Sequence, residues 1–89
     1  MRTKRGDEEY EIESLSKGLA VLEALEGTNF EPVPQKRIEQ RTEFSRDLVM
    51  RSLRTLRLRG YAVQNDRGEW TVGPRFVRLA LSVTRHKGL

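Results

Sequence analysis

The sequence predicts a mainly α fold with a small β-wing: a three-helix core, a two-stranded hairpin and a C-terminal helix. Three observations carry this. Residues 45–60 (SRDLVMRSLRTLRLRG) read as one amphipathic helix with five arginines, closed by a glycine. Two short alternating segments follow, either side of Asn65-Asp66-Arg67-Gly68, a four-residue turn sequence. Ahead of the basic helix stand a leucine-patterned helix and a shorter polar one. Helix, helix, basic helix, hairpin is the order of a winged helix-turn-helix, which offers its third helix to the DNA major groove.

The elements follow in order. Residues 1–13 combine a basic tip with acidic residues and little apolar content, so a mobile arm is expected. The domain proper then spans 14–86, with a tail at 87–89. Helix 1 is expected over 14–26, with Leu15, Leu19, Leu22 and Leu25 at helical spacing, Ser14 or Ser16 as cap, and Gly27 left-handed past the end. Phe30 and Val33 suit a small strand that Pro32 and Pro34 confine to an edge. Pro34 also suits the first turn of helix 2, expected over 34–41, where Ile38 is the one clear core residue.

Thr42, Glu43 and Phe44 make the turn, with Phe44 toward the core. Ser45 caps helix 3, and Asp47 in its first turn favours the positive helix end. Leu48, Val49, Leu53 and Leu56 face inward. At about 100° per residue the opposite face holds Asp47, Arg51, Arg54 and Leu58, with Met50 at the edge and Arg46, Arg57 and Arg59 on the flanks. Arg57 and Arg59 are expected to serve phosphates or solvent.

The wing is expected over 61–72, with Arg67 at its tip. Gly73-Pro74 opens the last helix, which carries two apolar stripes: Phe76, Leu79, Ala80 and Val83, then Val77 and Leu81. One stripe can cover the domain's own core, and the second, Val77 and Leu81, then needs a partner, which argues for a homodimer. With only 89 residues, the chain sits near the lower size for independent folding, where an interface helps.

Charge is segregated. Residues 1–34 hold four basic and eight acidic residues, whereas 35–60 hold eight basic and three acidic, and 61–89 five and two. The positive charge lies where the helix pair and hairpin fall, and such a patch attracts polyanions. There is no cysteine and a single histidine, His86, with no nucleophile or carboxylate beside it. No metal site, cofactor or catalytic function is expected. Trp70, Phe76 and Phe44 fit core positions better than a stacking platform for single strands. No apolar run reaches membrane-spanning length, so a cytoplasmic protein is expected.

Helix 1 (SLSKGLAVLEAL), the turn-to-strand segment (RTEFSRDLVMRSLRTLRLRGYAV) and the closing piece (GEWTVGPRFVRLAL) together resemble the N-terminal DNA-binding domain of the IclR family of bacterial transcription regulators. The resemblance covers about residues 14–81. It implies DNA contact by Ser45, Arg46, Asp47, Met50 and Arg51 at the start of helix 3, and by the wing around Arg67. Gln35, Lys36 and Arg37 of helix 2 would lie across the groove, and the protein would bind double-stranded DNA as a dimer. Arg54 joins the set from its outward position.

Four departures stand out. Glu43 occupies the family's turn glycine, implying a different turn or a local cost. Arg59, not an apolar residue, precedes Gly60, and the apolar residue is Leu58, implying either a shifted buried seam or a different contact for Leu58. Asp47 replaces a small hydroxyl residue. The family's effector-binding domain has no counterpart, so ligand control is not implied, and the small size fits a phage or mobile-element regulator. The expected function is sequence-specific regulation of transcription. The alternatives are a winged-helix module that docks a protein partner and an architectural or recombination DNA-binding protein of low specificity.

Overall fold

The computed structural model describes residues 8–27 and 31–87. Helices α1 (Glu13–Glu23), α2 (Gln35–Thr42) and α3 (Arg46–Leu58) precede strands β1 (Ala62–Gln64) and β2 (Trp70–Val72), and α4 (Pro74–Lys87) follows. The strands pair antiparallel, with Ala62 opposite Val72 and Gln64 opposite Trp70. Val33 adds an isolated antiparallel bridge, exchanging two 2.8 Å backbone bonds with Trp70. Its flanking prolines lack the N–H that a longer strand needs. Phe30, expected beside it, and the expected arm through residue 7 lie outside the described residues.

The core is Val21, Ala24, Leu25, Val33, Ile38, Val49, Leu53, Ala62 and Trp70, with Leu22, Phe44, Leu56 and Val72 packed against it. Ile38 alone anchors α2 in this core. The rest of that helix is held at its ends: Pro34 O accepts from the Arg37 and Ile38 amides, and Arg41 reaches back to α1. Arg41 Nη1 donates to the carbonyls of Ala24 and Glu26 at 2.7 and 2.8 Å. These belong to the carbonyls left over past a helix end, and a guanidinium satisfies two at once. Arg41→Ala should therefore destabilise the fold by about 2 kcal/mol, read as a lower urea midpoint at unchanged slope.

Several expectations about α1 are corrected. Ile12 is its N-cap and makes no side-chain cap bond, so neither Ser14 nor Ser16 caps the helix. Ser16 Oγ instead donates to the Glu11 carboxylate. The helix ends at Glu23, and Gly27 does not adopt a left-handed conformation. Gly27 serves a close approach: a Cβ there would lie 3.1 Å from the Glu31 carbonyl oxygen. The buried stripe is Val21, Ala24 and Leu25, whereas Leu15 and Leu19 are 57 % and 47 % exposed. At about 100° per residue Leu15 and Leu19 lie roughly 140° round the helix from Val21, so burying Val21 turns them outward.

Helix α3 ends as expected, in a glycine cap. Gly60 has φ +85°, its amide donates to Arg57 O, and the Tyr61 amide donates to Leu56 O. This is a Schellman motif, in which both bonds satisfy last-turn carbonyls.

Helix α4 departs most from expectation. Its base is tied to that cap: Gly73 N–H donates to Tyr61 O at 2.8 Å and Arg75 N–H to Gly60 O at 2.9 Å. Beyond the base neither stripe is buried, and Phe76, Val77, Leu79, Leu81 and Val83 are all exposed. Phe76 instead lines an apolar groove of about 490 Å³ with Leu19, Leu22, Leu25 and Val72.

Candidate nucleic-acid interface

Helix α3 lies across the domain with Val49 and Leu53 fully buried. That fixes which residues face out: Arg46, Asp47, Arg51, Arg54 and Leu58 are exposed, and Met50 is half-buried. Ser45 caps the helix as expected, its Oγ accepting from Leu48 N–H at 3.2 Å. Leu56, rather than Leu58, packs on the core, and Leu58 is left 85 % exposed. The turn before α3 keeps the left-handed geometry despite lacking glycine, because Glu43 sits at φ 61°, ψ 23° and its amide donates to Glu39 O at 2.8 Å. The cost takes the form of strain rather than a changed path. Glu43→Gly should therefore raise stability by about 1 kcal/mol, seen as a higher melting temperature.

In α2, Lys36 and Arg37 are exposed, while Gln35 is half-buried and donates to the Glu39 carboxylate at 3.2 Å. Lys36, Arg37, Arg46 and Arg54 make no ion pair among the described residues, so their charge faces solvent.

The wing turn is organised by Asn65. Its Oδ1 accepts from the amides of Arg67 and Glu69, both at 2.9 Å, and its Nδ2 donates to Glu69 Oε1. Gly68 takes the left-handed position at φ +82°. Arg67 projects from this turn with its Nε 3.5 Å from Glu69 Oε1, an exposed and weak contact.

Two arrangements go beyond what was expected from the sequence. Arg57, expected to serve phosphates or solvent, is exposed and also makes two specific contacts within the domain. Its guanidinium lies 5.5 Å from the centre of the Trp70 ring and donates to Gln64 Oε1 at 2.9 Å. It thereby pins the hairpin to α3 through a cation–π contact and a hydrogen bond. Asp47 and Arg51 form an ion pair, Nε to Oδ2 at 3.0 Å. Their i,i+4 spacing was the available signal.

Trp70 and Phe44 pack in or against the core, so they offer no exposed stacking surface, while Phe76 stands half out of it. Among the described residues no helix is long and apolar enough to cross a membrane.

No protein-family model matches the sequence, and neither does any curated protein. Solved structures do match in fold. An IclR transcriptional regulator from Alicyclobacillus acidocaldarius superposes with a TM-score of 0.75 at 20 % identity, over 84 % of this chain and 30 % of that one. An IclR-family regulator from Brucella abortus gives 0.72 at 23 %, over 89 % and 30 %. An IclR-family regulator from a Rhodococcus species gives 0.64 at 25 %, over 76 % and 28 %. The chain thus has the winged helix-turn-helix fold of the DNA-binding domain of these regulators, and spans about 30 % of their length.

Proposed function

We propose that this chain is a sequence-specific double-stranded DNA-binding protein that regulates transcription as a homodimer. In this reading α3 enters the major groove and the wing rests on the backbone. The observation that carries it is the arginine-rich outer face of α3, held between a strained turn and a hairpin pinned by Arg57. Arg46, Asp47, Met50, Arg51 and Arg54 supply the reading surface. Gln35, Lys36 and Arg37 flank it on one side and Arg67 on the other. Exposed cations on one face release counterions from duplex DNA, whereas a reading helix adds base preference.

Selection from a random duplex pool, followed by titration of the chosen site and of random duplex at two salt concentrations, tests this. A steep salt dependence with a preferred site supports a regulator. The same slope without a site supports an architectural protein, and no duplex binding leaves the docking reading.

The exposed stripes of α4 support the dimer. Val77 and Leu81 are 44 % and 52 % exposed, and the groove beside Leu19 and Phe76 enlarges the apolar surface available to a second copy. Leu81→Glu is expected to shift sedimentation from dimer to monomer and to weaken binding to two-half-site duplex more than to a single half-site. One observation favours the docking alternative: Leu58 stands exposed at the far end of the arginine face, where an apolar partner surface would suit it.

A further inference from the structure

Asp47 is the one carboxylate on α3, and it stands on the arginine face. We propose that Asp47 is a positioning residue for base recognition: by holding the Nε edge of Arg51 it leaves the two Nη groups as a fork that reads guanine in the major groove. The inference rests on the DNA-binding reading above and adds the base and the device that selects it.

Stability accounts for the carboxylate only in part, through its place in the first turn of α3, where an anion contributes about 0.3–1 kcal/mol. Both side chains are about 70 % exposed, and exposed i,i+4 pairs contribute little to folding. Affinity does not account for it, since a carboxylate facing phosphates weakens binding to every sequence alike. Orientation is what it supplies. A planar guanidinium presents its donors along two usable edges, one shared by Nε and an Nη, the other formed by both Nη groups. Asp47 Oδ2 accepts from Nε at 3.0 Å, which occupies the first edge. The remaining edge offers two near-parallel N–H groups, matching the O6 and N7 acceptors of guanine.

The frame beneath is fixed. Ser45 caps the helix two residues before Asp47, and Thr55 Oγ1 donates to the Arg51 carbonyl at 2.9 Å. A long side chain tethered before binding loses less freedom on contact, so the pair also sharpens recognition through preorganisation.

The test uses the full chain and its selected duplex, alongside a copy with the Arg51-dependent guanine replaced. Wild type, Asp47→Ala, Asp47→Asn and Arg51→Lys are titrated at two salt concentrations. Asp47→Ala should lose about tenfold in discrimination between the two duplexes. It should also bind random duplex more tightly, with a salt slope steeper by about one. Asp47→Asn keeps an oxygen acceptor for Nε and should retain most of the discrimination. Arg51→Lys should lose discrimination with little change in slope. The inference is overturned if Asp47→Ala discriminates as sharply as wild type, or if no guanine in the site responds to Arg51→Lys. A wild type that binds no duplex overturns the DNA-binding reading itself.

Discussion

Gly73→Ala is expected to lower the melting temperature by roughly 20 °C, although it adds a single methyl group. A Cβ at position 73 would lie 2.4 Å from the Gly60 carbonyl oxygen and 2.9 Å from the Ala62 amide nitrogen. Both are backbone atoms, so no rotamer change makes room. The α4 base must move away from the α3 cap, and with it go the Gly73-to-Tyr61 and Arg75-to-Gly60 bonds. Overpacking costs about 1–3 kcal/mol and each lost bond about 1 kcal/mol, for a total of about 3–5 kcal/mol. Gly18→Ala is the matched control. Its Cβ would meet nothing within 4 Å, inside α1, so the same methyl should stabilise by up to about 1 kcal/mol. Thermal melts of the two variants should move in opposite directions. Equal shifts would mean that Gly60 and Gly73 do not approach as described.

That contact shows where sequence reading runs out. Glycine before proline at positions 73–74 was legible as a helix start, but its service to a cap thirteen residues earlier is a tertiary fact. Element order was legible because it follows from local rules. Ser45 caps, Gly60 adopts a left-handed conformation, and Asn65 through Gly68 turns, each through chemistry confined to a few residues. The outward set on α3 was legible because Val49 and Leu53 fix the helix rotation. Which stripe of α1 is buried was not, because two apolar stripes compete and only packing against α3 decides between Leu15 and Val21. Neither was the fate of α4, whose first stripe was expected to cover the core yet stands exposed like the second. The contacts of Arg57 within the domain were not legible for a related reason. Its partners, Trp70 and Gln64, come within reach only after the hairpin folds back on the helix.

Arg51→Ala should reduce affinity for the selected site by about 100-fold, or about 2.7 kcal/mol, of which a base contact of middling strength supplies about 2 kcal/mol. The base contact accounts for about 1–3 kcal/mol of discrimination. The remainder comes from Asp47, which the substitution leaves as an uncompensated carboxylate facing phosphate. Random duplex should also bind more weakly, and the salt slope should become shallower by about one. Folding should be nearly unaffected, because the lost ion pair is exposed. The double variant Asp47→Ala/Arg51→Ala separates the two contributions: it should restore random-duplex affinity and slope toward wild type while leaving the site preference absent. Arg67→Gln provides the contrast, since a wing cation on the backbone should weaken all sequences equally and shift the slope by about one. If Arg51→Ala also weakens all sequences equally, Arg51 touches phosphate alone. If it changes nothing, α3 is not the reading helix, and the exposed Leu58 and the α4 stripes become the surfaces to test for a protein partner.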